Sequence, residues 1–420
     1  MMKILFFSNI PIKKVRKDGY NGGGWISSFI ERILTLPNVD CAIASFDNRD
    51  EVCDCQKLKI YHIKDPVRSS VFLKIKKRID LFSNFYLKGE MSSWSKYEKS
   101  LLKVVDDYKP DIIHIWGSEQ QFGLIANLVR IPVVLHIQGI MNPYLNAYLP
   151  PFFSWNFKIT SPISSLKVLK EKRLWIQQCL RERFILSKIK NYIGRTVWDE
   201  RVTKIFNPQS KYFYGGEILR EEFYEEIERN IPKKLTIVST ISNPLYKGYD
   251  CILKTAYILK KYMRLEFLWN VYGNINPNFV EKIVNIKHQN VDVHLQGVAS
   301  SNDLKKAILN ATVYVHPSYI DNSPNSVCEA QMLGVPVIAS NVGGLSSIID
   351  DGKTGFLVPA NDPYQMAYLI LSLYQNKEFN KCIGKEARLQ ALKRHDRDNI
   401  VNGALDIYQN IIQIFYLKQK

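Results

Sequence analysis

The sequence predicts an α/β protein in which two doubly wound parallel sheets face each other across a central cleft. Short apolar segments of strand length alternate with longer amphipathic segments, and the alternation appears once in each half of the chain. At 420 residues the chain exceeds the size at which one hydrophobic core keeps growing, which favours two domains. Ligands of doubly wound sheets bind beyond the carboxyl ends of the strands, so the loops that follow strands are where we expect a site.

The apolar segments predict five strands in each half. In the first half these are residues 3–7, 39–44, 112–116, 133–137 and 192–193, and in the second half 235–239, 265–272, 291–296, 313–316 and 336–340. A glycine pair and dense charge separate the two series, and we place the boundary near residues 215–230. This gives an N-terminal domain of residues 1–215, a C-terminal domain of residues 216–398, and a final helix over residues 399–420 that crosses back toward the N-terminal domain.

Composition indicates the class of partner and the compartment. Lys and Arg total 57 against 40 acidic residues, a formal net charge of +17, which favours anionic ligands or surfaces. The seven cysteines show no paired spacing, which is typical of a reducing cytoplasm. The first apolar stretch is too short for a signal peptide, and no apolar segment approaches the roughly 18 residues needed to cross a bilayer. We therefore expect a cytoplasmic protein whose membrane contact, if any, is peripheral.

Three loops after predicted strands carry candidate ligand-binding residues. Gly22, Gly23 and Gly24 precede a helical segment, where backbone N–H groups and the helix N-terminus favour an anion. Lys247 precedes another amphipathic helix and is placed to reach a diphosphate, and His136 ends a strand at the cleft edge. Each feature also has a structural explanation: plain loop geometry, a solvated lysine, and a histidine that caps a strand.

The segment "SYIDNSPNSVCEAQMLGVPVIASNVGG" predicts a loop, a helix and a further strand. It places the carboxylates of Asp321 and Glu329 toward one cleft, with helix N–H donors at Asn325, Ser326 and Val327. These groups suit a ligand that carries both hydroxyl and phosphate groups. The alternative is a capped helix with an acidic first turn.

The segment "HPSYIDNSPNSVCEAQMLGVPVIASNVGGLSSIIDDGKTGFLVPANDP" closely resembles the signature of the retaining nucleotide-sugar glycosyltransferases of family 4, also called glycosyl transferases group 1. "LYKGYDCILKTA", "LWNVYGN" and "VHLQGVASSNDLKKAILNATVYVHPS" are similar to other segments of that family, in order and spacing. "DIIHIWG", "VVLHIQG" and "IGRTVWD" resemble its N-terminal segments less specifically. The resemblance implies the GT-B architecture, in which two Rossmann-like domains face a central cleft.

The resemblance also implies roles for individual residues. Glu329, the second acid of the E-x(7)-E motif, would bind the ribose hydroxyls of the donor nucleotide, and Lys247 would neutralise its diphosphate. Gly22, Gly23 and Gly24 would lie against the phosphates, and the amides of Asn325, Ser326 and Val327 would contact the donor. His136 and Asp321 would act at the donor sugar, which makes them the candidate catalytic residues.

Two positions depart from the family pattern. The first acid of the motif is Asp321 rather than Glu, one methylene shorter, so its contact with the sugar is expected to be shifted or mediated by water. The family often has an arginine before the lysine, whereas "TISNPLYKG" has none. Either Lys247 acts alone on the diphosphate or another basic residue compensates.

The implied reaction is retaining transfer of a hexose-type sugar from a UDP- or GDP-sugar to a lipid-linked or oligosaccharide acceptor. The implied setting is the synthesis of a bacterial surface polysaccharide: capsule, exopolysaccharide or lipopolysaccharide. Neither cofactor nor metal is expected, because histidines and cysteines show no ligand spacing. Two alternatives stay open: a catalytically silent protein that binds sugar nucleotides as a scaffold, and a sugar-nucleotide epimerase of the same architecture.

The segment between residues 151 and 190 interleaves aromatic and basic side chains. These are Phe152, Phe153, Trp155, Phe157 and Trp175, with Lys167, Lys170, Lys172, Arg173, Arg181, Arg183, Lys188 and Lys190. Because each basic residue near an anionic surface contributes on the order of 1 kcal/mol, this segment is expected to hold the protein on the inner face of the cytoplasmic membrane. Ordinary solvated helix faces with buried rings are the alternative. No nucleic-acid partner is expected, since no recognised binding motif accompanies the charge.

Overall fold

The computed structural model of the protein describes residues 1–8, 24–55, 57–66, 86–149, 151, 162–225 and 229–417. These residues form two β-sheets, one from each half of the chain, with helices packed on their faces. The predicted α/β class with two Rossmann-like sheets is therefore confirmed. The first sheet ends at Tyr214 and the second begins at Leu235, while the domain limits assigned above remain a prediction.

The first sheet is wider than the sequence predicted. Its strands are β1 (Met2–Phe7), β2 (Val39–Asp47), β3 (Glu51–Cys55), β4 (Leu58–Lys64), β5 (Ile112–Trp116), β6 (Val133–His136), β7 (Asn191–Gly194) and β8 (Lys211–Tyr214). They lie in the order β3-β4-β2-β1-β5-β6-β7-β8. All neighbours are parallel except β3 and β4, which are antiparallel. The sheet is thus parallel apart from this edge, where a connection as short as that between β3 and β4 can join only antiparallel strands.

The second sheet is parallel throughout its described strands. These are β9 (Leu235–Thr240), β10 (Phe267–Tyr272), β11 (Val293–Gly297), β12 (Val313–His316), β13 (Val337–Ser340) and β14 (Phe356–Val358). Their order is β11-β10-β9-β12-β13-β14, so the order reverses between β9 and β12. Such a reversal opens a crevice at the carboxyl ends of the two strands, where α/β sheets bind their ligands.

Helices follow most strands and cover both sheets. They are α1 (Gly24–Ile33), α2 (Tyr86–Tyr108), α3 (Met141–Asn146), α4 (Pro162–Lys188), α5 (Val197–Phe206), α6 (Tyr249–Tyr257), α7 (Asn278–Val284), α8 (Ser301–Leu309), α9 (Asn325–Met332), α10 (Pro363–Gln375), α11 (Lys377–Arg394) and α12 (Arg397–Leu417). None of the described helices combines the length and the apolar composition that crossing a membrane requires.

Strand β1 shows why the sheets are stable between two layers of helices. Leu5 and Phe7 belong to the core on one face of the first sheet, whereas Ile4 and Phe6 belong to the core on the other. Successive side chains of a strand point to opposite faces, so a strand covered on both sides must be apolar at every position. The run "ILFF" satisfies this requirement.

The chain crosses between its halves twice, and the two crossings touch. Residues 215–234 lead from the first sheet to the second, and α12 returns to pack on the first sheet, where the Tyr408 hydroxyl lies 2.5 Å from His114 Nδ1. His395, which precedes α12, has its Nδ1 2.8 Å from the carbonyl oxygen of Glu217. Its own carbonyl accepts a hydrogen bond from the Tyr224 hydroxyl at 2.8 Å. The two crossings are therefore hydrogen-bonded to each other.

Candidate functional site

A cavity of about 500 Å³ lies at the carboxyl ends of β9, β10 and β12, where the strand order of the second sheet reverses. Among the residues predicted from the sequence, it is lined by Lys247, Asp321, Asn325, Ser326 and Glu329. Arg220 and His316, which the sequence did not single out, line it too. Polar groups that lie far apart in the sequence thus meet in one crevice of a size suited to a small-molecule ligand.

Lys247 reaches the cavity because of the glycine that follows it. Gly248 has φ +75°, and a Cβ there would lie 2.0 Å from the carbonyl oxygen of Pro317. Only glycine combines this left-handed backbone with so close an approach to the loop after β12. The turn consequently brings the ammonium group of Lys247 against the carboxylate of Asp321, with which it forms an ion pair.

Asp321 is the centre of a buried polar cluster. Its Oδ2 lies 2.8 Å from His316 Nε2, and its Oδ1 accepts a hydrogen bond from the backbone N–H of Asn322 at 3.1 Å. Burial would raise the pKa of Asp321, but the charge of Lys247 and the hydrogen bond from His316 hold that pKa below its usual range. The carboxylate is therefore ionised at neutral pH.

The adjacent glycines Gly343 and Gly344 support the loop that carries Asp321. Gly343 has φ +55°, and a Cβ there would lie 1.7 Å from the carbonyl oxygen of Asp321. The backbone N–H of Gly344 donates to the same oxygen at 3.0 Å. The turn after β13 thus holds the acidic loop by its backbone, and any side chain at position 343 would displace it.

Glu329 is bound by Arg220, which no motif or pattern in the sequence singled out. Arg220 Nε donates to Oε1 and Nη2 to Oε2, both at 2.7 Å, and both side chains are buried. Burial raises the pKa of the Glu329 carboxyl, while the hydrogen bonds and charge of Arg220 act in the opposite direction. The structure therefore places a second basic residue, Arg220, in the cavity. Such a residue was one of the two alternatives considered for the arginine that is missing before Lys247.

Helix α9 presents its first residues to the cavity. Asn325 and Ser326 line it, and the first N–H groups of a helix have no acceptor within the helix. Val327 departs from the expectation that its amide contacts a ligand. That N–H donates to the carbonyl oxygen of Pro324 at 3.0 Å, and the side chain is fully buried in the core of the second half. The N–H group of the third helical residue is thus already hydrogen-bonded within the first turn of the helix.

His136 is not among the residues that line this cavity. It lies at the end of β6, buried among aromatic rings, with the Trp116 ring 4.7 Å and the Trp25 ring 6.0 Å from its own. Burial lowers its pKa well below the usual value, so the ring is neutral. Neither ring nitrogen has a hydrogen-bond partner within the described part of the chain. Its role at a donor sugar remains a prediction.

The glycine loop can be placed only in part. Gly24 is buried and begins α1, one residue before Trp25, whose ring faces His136. Gly22 and Gly23 lie outside the described residues. Their predicted contact with phosphates is therefore still an expectation.

Residues of the first half close over the acidic loop. The Asn322 side chain donates to the carbonyl oxygen of Gln138 at 3.2 Å and to Asp199 Oδ2 at 3.0 Å. It also accepts a hydrogen bond from the Thr196 hydroxyl at 2.7 Å. The Tyr144 hydroxyl lies 3.4 Å from Asp321 Oδ1, which extends the contact to the acid itself. Of these partners, Thr196 and Asp199 lie in the segment "IGRTVWD" and Gln138 lies in "VVLHIQG", whereas Tyr144 lies in none of the segments quoted above.

Arg195 joins the two halves beside Asn322. It forms a buried ion pair with Glu217 of the first crossing, and its Nη1 donates to the carbonyl oxygen of Ser323 at 3.2 Å. Its Nη2 donates to the carbonyl oxygen of Gln138 at 3.1 Å. One guanidinium therefore ties the N-terminal half, the crossing and the acidic loop together.

The basic and aromatic segment is only partly exposed. Trp175 packs between the rings of Tyr148 and Tyr246, at 5.0 and 5.7 Å, and Arg181 is buried with its Nη2 donating to the Glu119 carbonyl. These two residues therefore do not belong to an outward face, contrary to the expectation. The exposed basic residues of the described segment are Lys170, Arg173, Arg183, Lys188 and Lys190. Phe152, Phe153, Trp155 and Phe157 lie outside the described residues.

The sequence of residues 221–390 matches the family model described as Glycosyl transferases group 1. A D-inositol 3-phosphate glycosyltransferase of Paenarthrobacter aurescens is 31% identical over 152 residues, 34% of this chain and 36% of that protein. The sulfoquinovosyl transferase SQD2 of Arabidopsis thaliana is 24% identical over 301 residues, 70% of this chain and 55% of that protein. The chain thus spans well under two thirds of the length of these two relatives. An uncharacterized 41.2 kDa protein in the cps region of Klebsiella pneumoniae is 28% identical over 331 residues, 76% of this chain and 84% of that protein.

Solved structures resemble the chain over nearly its whole length. Sucrose-phosphate synthase from Thermosynechococcus elongatus superimposes with a TM-score of 0.72 at 16% identity, covering 99% of this chain and 100% of that one. Anabaena HepE in complex with UDP and glucose gives 0.63 at 14% identity, with coverages of 98% and 100%. WaaG, a glycosyltransferase involved in lipopolysaccharide biosynthesis, gives 0.63 at 15% identity, with coverages of 96% and 99%. At these identities the likeness establishes the fold alone, and that fold is GT-B.

Proposed function

Because residues 221–390 belong to the glycosyl transferases group 1 family within a GT-B fold, we propose that the protein is a retaining glycosyltransferase of family 4. It moves a hexose-type sugar from a UDP- or GDP-sugar to a glycan acceptor. The observation that carries the proposal is the cavity at the strand-order reversal, which joins Lys247, Asp321 and Glu329 with the start of α9.

The donor occupies this cavity with its diphosphate at Lys247 and its ribose at Glu329. A buried ammonium group offsets the charge of a diphosphate, and the free amides at the start of α9 add further donors. Support for a UDP donor comes from the HepE structure, whose ligands are UDP and glucose. The experiment described below distinguishes a UDP-sugar donor from a GDP-sugar donor.

Bond cleavage leaves positive charge on the sugar ring and negative charge on the departing diphosphate. Asp321, ionised beside Lys247, faces the sugar, and Lys247 stabilises the diphosphate. His136 contacts the sugar from the first half. The acceptor hydroxyl attacks from the face that the diphosphate leaves, and the diphosphate takes its proton, so the configuration at the sugar is retained.

We infer that turnover needs no metal and no cofactor. Lys247 supplies positive charge at the proposed position of the diphosphate, which is the task that a divalent cation performs for other sugar nucleotides. The rate should remain unchanged when the purified protein is dialysed against EDTA. A rate that falls with EDTA and returns with Mg²⁺ or Mn²⁺ contradicts this part of the proposal.

The acceptor is a glycan of the bacterial cell surface, and in its natural form it is lipid-linked. Support comes from the relative in the cps region of Klebsiella pneumoniae and from the likeness to WaaG. The exposed basic residues of α4 would hold the protein on the cytoplasmic membrane from its inner face. Replacing Lys170, Arg183 and Lys188 by Gln should release the protein from phosphatidylglycerol vesicles, and unchanged binding contradicts the membrane proposal.

The deciding experiment incubates the purified protein with a panel of UDP- and GDP-hexoses and measures nucleotide release with and without membrane glycolipid extracts. We expect one donor to be consumed faster with extract, and Glu329→Ala to abolish this at a temperature at which the variant is still folded, although loss of the partner of the buried Arg220 should lower its unfolding temperature. Nucleotide binding without turnover for any donor would favour the silent scaffold. Conversion of the free sugar nucleotide without acceptor would favour the epimerase.

A further inference from the structure

The ion pair between Arg220 and Glu329 is a feature of the cavity that the family resemblance does not account for. The resemblance assigns Glu329 to the ribose, yet both oxygens of its carboxylate accept hydrogen bonds from Arg220 at 2.7 Å. Two parallel bonds between a guanidinium and a carboxylate fix the plane and the rotation of the carboxylate. The orientation of Glu329 in the cavity is thus set by Arg220.

The two partners of Glu329 do not compete for the same lone pairs. Each carboxylate oxygen has two lone pairs, and Arg220 uses one on each. One lone pair therefore remains on each oxygen, and an ionised carboxylate only accepts hydrogen bonds. Each remaining lone pair can accept a hydrogen bond from one hydroxyl group, and a ribose carries two such donors.

We propose that Arg220 is a positioning residue, which holds the Glu329 carboxylate so that its remaining lone pairs accept the 2′- and 3′-hydroxyls of a nucleoside diphosphate. This inference rests on the proposed function, because it specifies how the same cavity distinguishes a ribonucleotide from other anions. Arg220 itself makes no contact with the ribose. Its effect passes through Glu329.

Arg220 is suited to this task because its own position is fixed. It lies between Leu219 and Phe223, both buried in the core of the second half, and its guanidinium carbon is 4.7 Å from the centre of the Phe223 ring. The backbone N–H of Leu219 also donates to the Tyr224 hydroxyl at 3.0 Å. A guanidinium held in this way loses little freedom when it binds a carboxylate, whereas a lysine offers only a single point charge.

The burial of Glu329 makes the arginine necessary. The side chain is 3% exposed, and burial alone favours the protonated, uncharged form of its carboxyl group. A protonated carboxyl loses acceptor capacity and is free to rotate, so it would no longer present two acceptors to the ribose. Arg220 provides the opposing charge within the protein, before any ligand binds.

Calorimetric binding of UDP and GDP, each compared with its 2′,3′-dideoxy form, tests the inference. The wild type should bind the better ribonucleotide about tenfold or more tightly than its dideoxy form, because two hydrogen bonds to a charged acceptor are lost. In Arg220→Gln this preference should fall to within about twofold, while affinity for the dideoxy form stays within about threefold. Glu329→Gln should lose the preference to a similar extent, and Arg220→Lys should keep part of it.

Arg229→Gln is the matched control, because Arg229 is a largely buried arginine of the same region whose guanidinium donates to backbone oxygens of Ala311, Thr312 and Gly334. It does not line the cavity, so this variant should unfold at a lower temperature yet keep the ribose preference. If Arg220→Gln does not fold, Arg220→Lys carries the test, since it retains the charge and loses only the paired geometry.

Each result decides between the proposals. A ribose preference as large as that of the wild type, in Arg220→Gln or in Arg220→Lys, overturns the inference and leaves the proposed function standing. Equal losses for the ribonucleotide and the dideoxy form assign Arg220 a structural role only, and a wild type without ribose preference likewise refutes the inference alone. A wild type that binds neither UDP nor GDP overturns the proposed function as well.

Discussion

The ammonium group of Lys247 and the carboxylate of Asp321 form a buried ion pair in the wall of the cavity, although 74 residues separate them in the sequence. Their side chains are 14% and 7% exposed. A carboxylate beside this lysine keeps it charged in a site with little solvent. The pair is therefore ready to receive a diphosphate before the donor arrives.

Replacing Lys247 by Met should weaken binding of UDP much more than binding of uridine. Only UDP carries the diphosphate that the ammonium group offsets, and uridine serves as the internal reference. We expect the affinity for UDP to fall about tenfold or more, as measured by calorimetry. Lys260→Met, which removes a lysine paired with Asp292 away from the cavity, should change neither affinity. Equal losses for UDP and uridine would refute the placement of the diphosphate.

Asp321→Asn should destabilise the fold, and a second substitution at Lys247 should reduce that effect. Removing one partner of a buried ion pair leaves the other charge uncompensated, at a cost of about 3–5 kcal/mol. In the double variant Asp321→Asn with Lys247→Met no such charge remains, so the two effects should deviate from additivity by about 1–3 kcal/mol. Urea denaturation of the four proteins measures the deviation, and simple additivity would argue against the pair.

Asn322→Ala should loosen the contact between the two halves. The variant loses the hydrogen bonds to Gln138, Thr196 and Asp199 and leaves buried partners unsatisfied, at a cost of about 1–3 kcal/mol. Small-angle X-ray scattering should show a larger radius of gyration. The control is Asn380→Ala, since the fully buried Asn380 bonds to Thr312 and Leu373 within the second half. It should lower stability without changing the radius, and an unchanged radius in Asn322→Ala would contradict the prediction.

Glu119 should make the protein less stable as pH rises toward neutrality. Burial raises the pKa of this half-buried carboxyl from 4.5 to about 7, and the nearby Glu182 acts in the same direction. An acid whose pKa is higher in the folded state binds its proton more tightly when folded. Stability is therefore greatest below the unfolded pKa and falls as pH rises from 4.5 to about 7.

Thermal unfolding midpoints at about pH 5 and about pH 7.5 check this prediction. From the lower to the higher pH, the midpoint of Glu119→Gln should fall less, or rise more, than that of the wild type. Other groups act in both proteins: burial also raises the pKa of Glu217 to about 7, which lowers stability over this range, and lowers the pKa of His136, which raises it. An identical change in both proteins would exclude Glu119 as a source of the pH dependence.

The strands were predictable wherever burial on both faces makes a segment apolar throughout. Ile112–Trp116 and Val313–His316 were predicted to the residue for this reason. The edge strands Glu51–Cys55 and Lys211–Tyr214 were not predicted, because they are half-exposed and charged or polar residues interrupt their apolar pattern. Leu58–Lys64, whose pattern is interrupted by Lys59 and His62, and the three-residue strand Phe356–Val358 were also missed, whereas the edge strand Val293–Gly297 was predicted. Local hydrophobicity therefore identifies long apolar strands and misses strands that are short or interrupted by polar residues.

The site was predictable where its residues follow strands and missed where they do not. Lys247 and Asp321 come from loops at the carboxyl ends of β9 and β12, which the fold class already brings together. Arg220 lies 109 residues from Glu329, in a crossing without any periodic pattern, and only the folded chain shows their contact. The prediction that the Val327 amide contacts a ligand departs from the structure for a different reason. The acceptor that a helix N–H group binds cannot be read from the sequence.

The contact between the two crossings at His395 limits how the halves can move. Two covalent connections that run side by side permit rotation about their common line, whereas translation or torsion of one half against the other would break the hydrogen bonds there. We therefore expect any opening between the halves to be a rotation about this line, with an amplitude that grows with distance from His395. A bulky acceptor of the proposed reaction should accordingly enter from the rim opposite His395.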